Sequence, residues 1–207
     1  MQILYSDDAL VAVDKPAGML SVPGRGDDKR DCVAARVQAM FADARVVHRL
    51  DMATSGLLLM ARGAAAQRQL GIAFARREVH KRYVAVVSGR PPAANGEIDL
   101  PLIADWPNRP KQKVDLEQGK PSLTRYRVLA YDAQSDTARV ELEPVTGRSH
   151  QLRVHLCALG HAIVGDALYA PDATRDRGER LLLHACALRM PHPTTGQPLD
   201  LASAVPF

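Results

Sequence analysis

Residues 48–60 read His-Arg-Leu-Asp-Met-Ala-Thr-Ser-Gly-Leu-Leu-Leu-Met. They place the carboxylate of Asp51 two positions from the guanidinium of Arg49, in a turn that precedes a short apolar strand predicted over 56–61. A carboxylate and a guanidinium in a turn next to an apolar strand indicate a small functional site. By local spacing alone, however, an Arg-x-Asp pair in a turn is most often a local ion pair or an Asx turn.

The composition indicates a packed aliphatic core and a mild positive charge. Of the 207 residues, 46% are hydrophobic and 4% are aromatic, and the net charge is +4. The length predicts one sizeable domain, and the charge suits a polyanionic partner. Cys32, Cys157 and Cys186 are odd in number and far apart, which favours reduced thiols in a cytoplasmic protein. Apolar runs fall short of the ~20 residues that a membrane span needs, and we expect no targeting segment.

Alternating and continuous apolar patterns predict strands in much of the chain. The expected strands lie over 9–13, 56–61, 123–129 and 138–142, in the segment that begins at His80, and from Leu181 onward. A hairpin is predicted at Asn95-Gly96 because this dipeptide favours tight hairpin turns. A polar turn is expected at 132–136, and a turn-rich tail at 191–198.

Three segments have helical patterns, over 32–42, 64–77 and 149–159. The first would place Val33, Val37 and Met40 on one face, with Asp31 as its N-cap. Ser149 is the candidate N-cap of the third helix, which the following glycine would end.

The order of these elements predicts an α+β fold, with a loop over 21–29. We expect a single domain over 1–207, built on a mixed, largely antiparallel sheet with flanking helices.

The residue pattern gives little support for a metal or nucleotide site. Seven histidines are present, but none lies in an H-E-x-x-H motif or in a Cys/His cluster with ligand spacing. Gly119-Lys120 lacks the upstream glycine of a P-loop, and Ser55 does not lie in a G-x-S-x-G elbow. We therefore predict a site without metal or cofactor that uses carboxylate, guanidinium and phenol groups.

A second group of polar residues lies at the start of the third predicted helix: Arg148, His150, Gln151 and Arg153. The N–H groups at a helix start favour an anion, and a solvated first turn is an equal alternative. Tyr83 lies in an alternating strand, so either it fills the core or its phenol points into a cleft.

Residues 106–113 combine the only tryptophan of the chain with three cations and two prolines. The residues concerned are Trp106, Arg109, Lys111 and Lys113. A stiff basic loop with one aromatic ring fits contact with an RNA backbone and stacking on a base. An ordinary exposed loop is an equally good interpretation of this segment alone.

Four motifs, in their order and spacing, resemble those of the RluA family of pseudouridine synthases. They are His-Arg-Leu-Asp-x-x-Thr-Ser-Gly (48–56), Lys-Arg-Tyr-Val-Ala-Val-Val-Ser-Gly (81–89), Gly-Arg-Ser-His-Gln-Leu-Arg-Val-His (147–155) and Leu-Leu-Leu-His-Ala (181–185). The resemblance covers nearly the whole chain and implies a pseudouridine synthase catalytic domain without an S4 or other accessory domain. Residues 21–25 and 102–113 most resemble the dual-specificity members of the family.

The resemblance implies roles for individual residues. Asp51 would be the catalytic aspartate, held by an ion pair with Arg153. Tyr83 would pack against the target base and help to deprotonate C5. Arg49 would enter the RNA stack in place of the flipped uridine, and Leu183 would line the pocket. Further substrate contacts are expected from other polar and aromatic side chains of these segments: His48, Trp106, Arg109, Lys111, Lys113, Arg148, His150 and Gln151.

The implied reaction breaks the N1–C1′ bond of a uridine, turns the uracil and forms a C5–C1′ bond. It needs no redox step and no energy source, so no cofactor is expected, but the uridine must be flipped out of its stack. The resemblance implies stem-loops of 23S rRNA and the tRNA anticodon loop as substrates of a monomeric, metal-free enzyme. The alternatives are a non-catalytic protein that remodels RNA, and a family member with another target uridine.

Overall fold

The chain divides into two compact units, which are described separately below. The first contains residues 1–81 and 184–206, and the second contains residues 82–183 and 207. The structure, a computed structural model, describes residues 1–24, 26 and 29–207. The loop predicted over 21–29 therefore falls in part on Arg25, Asp27 and Asp28, which lie outside the described residues.

The described residues form strands and four short or medium α-helices. The strands are β1 (Gln2–Ser6), β2 (Leu10–Lys15), β3 (Ala44–Val46), β4 (Ser55–Arg62), β5 (His80–Ser88), β6 (Asn95–Asp99), β7 (Leu102–Ala104), β8 (Gln112–Val114), β9 (Leu123–Asp132), β10 (Thr137–Pro144), β11 (Leu183–Pro191) and β12 (Pro198–Ala202). The helices are α1 (Val33–Met40), α2 (Gly63–Ala75), α3 (Gln151–Ala158) and α4 (Asp172–Arg175).

The sheet of the first unit is mixed. Its strands lie in the order β1-β2-β4-β11, and β3 also pairs with β4 and β12 with β11. These pairs are antiparallel, except that β4 and β11 run parallel. Every residue of β4 from Ser55 to Ala61 is buried, as expected of an apolar run in the middle of a sheet. Leu57 and Leu59 of β4 share a core with Leu70 of α2.

The sheet of the second unit is antiparallel, in the order β5-β10-β9-β6. Along β10, buried and half-buried residues alternate, with Ala138, Val140 and Leu142 inward, which is typical of a half-buried antiparallel strand. β9 and β10 form an antiparallel hairpin through residues 133–136, within the segment where a polar turn was expected. β7 and β8 form a separate hairpin.

The predicted α+β class with a mixed, mostly antiparallel sheet is confirmed. The expectation of a single catalytic domain over 1–207 without an accessory domain stays a prediction. Within residues 1–24, 26 and 29–207, no helix combines the length and the apolar character that a membrane span requires.

The hairpin predicted at Asn95-Gly96 is wrong. These residues begin β6, whose partner is β9, and Gly96 lies opposite Tyr126. A Cβ atom on Gly96 would lie 2.8 Å from the Tyr126 ring. The glycine therefore serves the close approach of an aromatic ring rather than a tight turn.

Both predicted helix caps are also wrong. Cys32 is the N-cap of α1, where its sulfur accepts a hydrogen bond from the Ala35 N–H at 3.4 Å. The Asp31 carboxylate binds the Arg36 guanidinium instead, with two contacts of 2.7 Å. At α3 the N-cap is His150 rather than Ser149.

Two smaller expectations differ from the structure. Met40 is exposed, because α1 ends at this residue and turns only Val33, Ala34 and Val37 inward. The strand that begins at Leu183 is followed by a further strand, β12, so the segment 191–198 is the connection of a hairpin rather than the start of a tail.

Candidate active site

The turn that carries Asp51 is held by main-chain contacts from two neighbouring segments. The Ser21 hydroxyl donates to the Leu50 carbonyl at 2.7 Å and accepts from the Leu50 N–H at 3.0 Å. On the other side of Asp51, the Gly18 N–H donates to the Met52 carbonyl at 2.9 Å. Asp51 is half-buried and Arg49 is exposed. The carboxylate therefore lies in a turn whose backbone is fixed independently of its side chain.

Lys15 at the end of β2 is the third support of this turn. Its side chain is fully buried, and its ammonium donates to the carbonyls of Pro16, Met19 and Met52 at 2.9, 2.8 and 2.9 Å. A buried ammonium is tolerated where its donors meet acceptors. Lys15 was not among the residues predicted for the site. The available signal was a lysine that follows a run of apolar strand residues.

His48 supports β4 from the side. Its Nε2 accepts a hydrogen bond from the Leu59 N–H at 2.9 Å, and its ring stacks on Phe74 with centroids 5.0 Å apart. Loss of hydration, together with a smaller contribution from the charge of Lys81, lowers the pKa of His48 from 6.5 to about 4. His48 is therefore neutral at pH 7, with its proton on Nδ1. Its predicted contact with the substrate stays a prediction.

This lowered pKa predicts a pH-dependent stability. As the pH falls below 6.5, the unfolded chain takes up a proton at His48 before the folded protein does, until the pH passes about 4. The free energy of unfolding should therefore decrease between these two pH values. Urea denaturation at pH 7 and pH 4.5 measures the effect. His48→Gln keeps an acceptor for Leu59 without a titratable group, and an equal decrease in that variant would contradict the assignment.

A buried chain of hydrogen bonds fixes the start of β4, four residues after Asp51. The Ser203 hydroxyl donates to Asp14 Oδ1 at 3.1 Å, so it accepts from His184 Nε2 at 3.0 Å. Nδ1 of His184 then accepts from the Ser55 hydroxyl at 2.8 Å. This chain holds His184 in one tautomer and ties β4 to β2 and β11. Its histidine belongs to the Leu-Leu-Leu-His-Ala motif, although the sequence assigned it no role.

Gly56 is required where β4 meets β11. Its φ is +109°, and a Cβ atom would lie 2.3 Å from the Ala185 carbonyl oxygen. Any other residue would force the two strands apart directly after the Asp51 turn.

Arg153 lies in the second unit and is buried on α3. Its Nε and Nη2 donate to the two carboxylate oxygens of Asp166 at 2.8 and 2.6 Å, and the side chains are 4% and 1% exposed. Such a bidentate pair fixes the plane of the guanidinium. The ion pair of Arg153 with Asp51, which the resemblance implies, stays a prediction.

Asp166 was missed by the sequence analysis. It follows the buried apolar run Ala162–Val164, where a carboxylate is costly unless a cation meets it. That context was the signal. Spacing could not show which arginine supplies the charge.

Gln151 is part of the frame of α3. Its Oε1 accepts from the Thr146 hydroxyl and the Arg148 N–H at 2.7 and 3.0 Å. Its Nε2 donates to the Leu123 carbonyl and the Thr124 hydroxyl at 2.9 and 3.0 Å. The helix start is therefore packed at Gln151 and Arg153, while Arg148 is exposed.

His155, one turn further along α3, completes this frame. Its Nε2 meets the Leu100 carbonyl at 2.9 Å and its Nδ1 the Thr124 hydroxyl at 2.9 Å. Burial lowers the pKa of His155, so it stays neutral. The spacing of Gln151 and His155 thus reflects two contacts with Thr124.

Two other predicted residues lie on strands. Tyr83 is half-buried on β5, opposite Leu142 of β10. Leu183 is buried at the first position of β11. Their contacts with a substrate stay predictions.

The predicted basic loop is the tip of the β7–β8 hairpin. Trp106 is 65% exposed in a short 3-10 helix, and the Arg109 guanidinium lies 3.1 Å from the centroid of its ring. Lys113 is exposed on β8, with its ammonium 3.4 Å from Asp115, and Lys111 is half-buried. We call residues 102–114 the basic hairpin. Its tip presents an aromatic ring and cations to solvent.

In the part of the chain that the structure describes, no three His, Cys, Asp or Glu side chains come together as metal ligands would.

The comparison with known families identifies the reaction class of the protein. Residues 9–158 match the family described as RNA pseudouridylate synthase, so the protein is an isomerase that acts on RNA. More particularly, the chain belongs to the RluA family of pseudouridine synthases. It is 53% identical over 205 residues to the dual-specificity RNA pseudouridine synthase RluA of Escherichia coli K12. The matched segment covers 99% of this chain and 93% of that relative. The RluA of Yersinia pestis is 49% identical over 207 residues, the whole of both chains.

Solved structures agree with this assignment. Human RNA Pseudouridylate Synthase Domain Containing 1 superposes with a TM-score of 0.82 at 32% identity, and covers 100% of this chain and 84% of its own. Human RNA Pseudouridylate Synthase Domain Containing 4 gives a TM-score of 0.79 at 26% identity, with 99% and 88% covered. The predicted family and reaction class are therefore confirmed.

Proposed function

We propose that this enzyme isomerises uridine in two kinds of RNA, stem-loops of 23S rRNA and the anticodon loop of tRNA. The observation that carries the proposal is identity of about half over nearly the full length to relatives named as dual-specificity RNA pseudouridine synthases. The matched region includes the basic hairpin. Because the surface of a single chain determines which RNAs bind, we expect this enzyme to share the substrate range of these relatives.

The reaction is an isomerisation, in which the N1–C1′ bond breaks and a C5–C1′ bond forms. The proton leaves C5 and N1 gains one, so atoms and charge balance without an oxidant or a cofactor. Asp51 supplies the carboxylate that acts on the sugar or the base of the flipped uridine. Arg153 acts as its cationic partner, and a buried position for that cation strengthens the attraction.

Access to the uridine requires base flipping, which costs a few kcal/mol of unstacking. Arg49 is exposed beside Asp51 in sequence, and its planar guanidinium is suited to occupy the vacated place in the stack. Tyr83 packs against the uracil and its phenol helps to deprotonate C5, and Leu183 lines the pocket. The polar groups His48, Arg148 and His150 complete the substrate site, while Gln151, which is buried and bonded within the second unit, holds the start of α3.

The enzyme is proposed to act as a monomer in the cytoplasm, without a metal ion. The three cysteines, all in described segments, are thiols rather than disulfides, which favours a reducing compartment.

The proposed activity is tested with RNA that carries tritium at C5 of uridine. Formation of the C5–C1′ bond releases the tritium to water, so release counts turnovers. We expect release from a minimal anticodon stem-loop and from a 23S rRNA stem-loop, and none when the target uridine is replaced by cytidine. Reaction only with intact rRNA would contradict dual specificity. Binding without release from any RNA would indicate a non-catalytic RNA-binding protein.

Neutralising the basic hairpin should weaken RNA binding. Lys111→Gln with Lys113→Gln removes two backbone contacts, so the slope of log K against log salt should decrease by roughly 1 to 2. The single-turnover rate at saturating enzyme should change little. Arg125→Gln with Arg127→Gln removes the same charge from exposed residues of β9 and is the matched control. Equal weakening in the control would assign the effect to net charge alone.

Tyr83→Phe should lose most of the activity and still bind the stem-loop. The variant keeps the stacking ring and removes the phenol. Single-turnover tritium release and a binding titration separate these two effects. Normal turnover would show that Tyr83 only fills space.

A further inference from the structure

Tyr169 joins the basic hairpin to α3. The Gln112 N–H on β8 donates to the Tyr169 hydroxyl at 2.8 Å, and the same hydroxyl lies 2.6 Å from Nδ1 of His150. The rings of His150 and Tyr169 also meet edge to face, with centroids 5.7 Å apart. One phenol thus links a main-chain group of the hairpin to the residue that caps α3.

The same tyrosine contacts Arg153. The Arg153 guanidinium lies over the Tyr169 ring, 5.1 Å from its centroid, within the range of a cation–π interaction. Asp166, which holds Arg153, also accepts from the Tyr169 N–H at 3.2 Å. The Tyr169 ring and the Asp166 carboxylate therefore contact the guanidinium from two sides. The positions of the ring and of the carboxylate both depend on the position of Tyr169.

The backbone around Tyr169 is also held by hydrogen bonds. Its carbonyl accepts a hydrogen bond from the Cys157 thiol on α3 at 3.2 Å. Asp166 Oδ1 also accepts from the Leu168 N–H at 2.9 Å. We call Gln112, His150, Arg153, Asp166 and Tyr169 the Tyr169 cluster. Displacement of the hairpin must strain this cluster.

We propose that Tyr169 is a positioning residue that couples the basic hairpin to Arg153. The proposal rests on the proposed function, in which the hairpin binds RNA and Arg153 serves the reaction. RNA bound at the hairpin keeps β8 in place, and the hydroxyl of Tyr169 passes that arrangement to α3 and to the guanidinium. Binding energy from the stem is thereby used to orient a group at the reacting centre, which raises turnover rather than affinity.

Tyr169→Phe tests the coupling because it keeps the ring under Arg153 and removes only the hydroxyl. The single-turnover rate at saturating enzyme should fall about tenfold, as expected for one hydrogen bond to the hairpin. The Kd for the stem-loop should change by less than about threefold, because the cations of the hairpin remain. Tyr131→Phe removes another phenol contact of the same unit, 2.8 Å from Asp136, and is expected to react at the wild-type rate.

His150 provides a second, independent test. Its φ is 54°, a conformation that both asparagine and glycine adopt readily. His150→Asn places a polar atom near the position of Nδ1, and His150→Gly removes it while the backbone keeps its left-handed conformation. The asparagine variant should react several-fold faster than the glycine variant. In the Tyr169→Phe background this difference should become smaller, as in a double-mutant cycle between coupled groups.

The outcomes separate the coupling from the activity itself. A wild-type rate in Tyr169→Phe, or an Asn-to-Gly difference as large in that background as in the wild-type background, would overturn the coupling while the enzyme still releases tritium. A Tyr169→Phe variant with a lowered Tm and an unchanged rate per folded molecule would also overturn it. Absence of release by the wild-type enzyme would instead overturn the proposed function.

Discussion

Asp51→Asn is expected to abolish pseudouridine formation while the fold stays intact. Asparagine has nearly the same shape as aspartate, but it carries no charge and cannot act as a nucleophile or a base. Loss of such a group lowers turnover by about three orders of magnitude or more. The fold should survive because the turn is held through Ser21, Lys15 and Gly18, which bind main-chain groups on either side of Asp51.

The variant is compared with wild type by tritium release and by binding of the same stem-loop. Asp43→Asn is the matched control, since it makes the same chemical change at a carboxylate paired with Arg62 in the same unit. We expect Asp51→Asn to bind the RNA and release no tritium, whereas Asp43→Asn releases it normally. Activity of Asp51→Asn within about tenfold of wild type would refute the assignment, since one decade corresponds to only 1.4 kcal/mol.

Asp166→Ala should strongly destabilise the protein. It leaves the guanidinium of Arg153 buried without the carboxylate that binds it at 2.6 and 2.8 Å. Removal of one partner of a buried ion pair costs about 3 to 5 kcal/mol of the free energy of unfolding. In a chain of this size, that loss lowers Tm by roughly 6 to 20 °C.

Asp172→Ala is the matched control for Asp166→Ala. Its pair with Arg175 is equally short, 2.7 Å, but the two side chains are 84% and 41% exposed. Exposed pairs contribute about 0 to 1 kcal/mol, so urea denaturation should show almost no change. Equal effects of the two substitutions would mean that burial does not set the strength of the Arg153–Asp166 pair.

Elements with a strong local pattern were predicted correctly from the sequence. The apolar run at 56–61 became the buried strand β4, and the two alternating segments around residues 132–136 became the β9–β10 hairpin. The motifs around Asp51 and Arg153 identified the family, which the comparisons confirmed. These signals lie in neighbouring residues, so they are independent of how distant segments meet.

Predictions that required the correct partner among several were less successful. Asp31 and Ser149 have good capping side chains, yet Asp31 binds Arg36, and Cys32 and His150 occupy the cap positions. Asn95-Gly96 has a strong hairpin signal, but Gly96 lies opposite Tyr126. For Asp31 the ion pair with Arg36, and for Gly96 the contact with the Tyr126 ring, replaced the local preference.

The sequence by itself determined the family, the fold class and the strands with continuous or alternating apolar residues. Tertiary structure decided which groups hold the functional residues. Lys15 reaches the carbonyl of Met52, 37 positions away, and Arg153 binds Asp166 across 13 positions. The physical reason is that a buried charge is stabilised only by a group that lies next to it in the folded protein. Sequence spacing does not show which group that is.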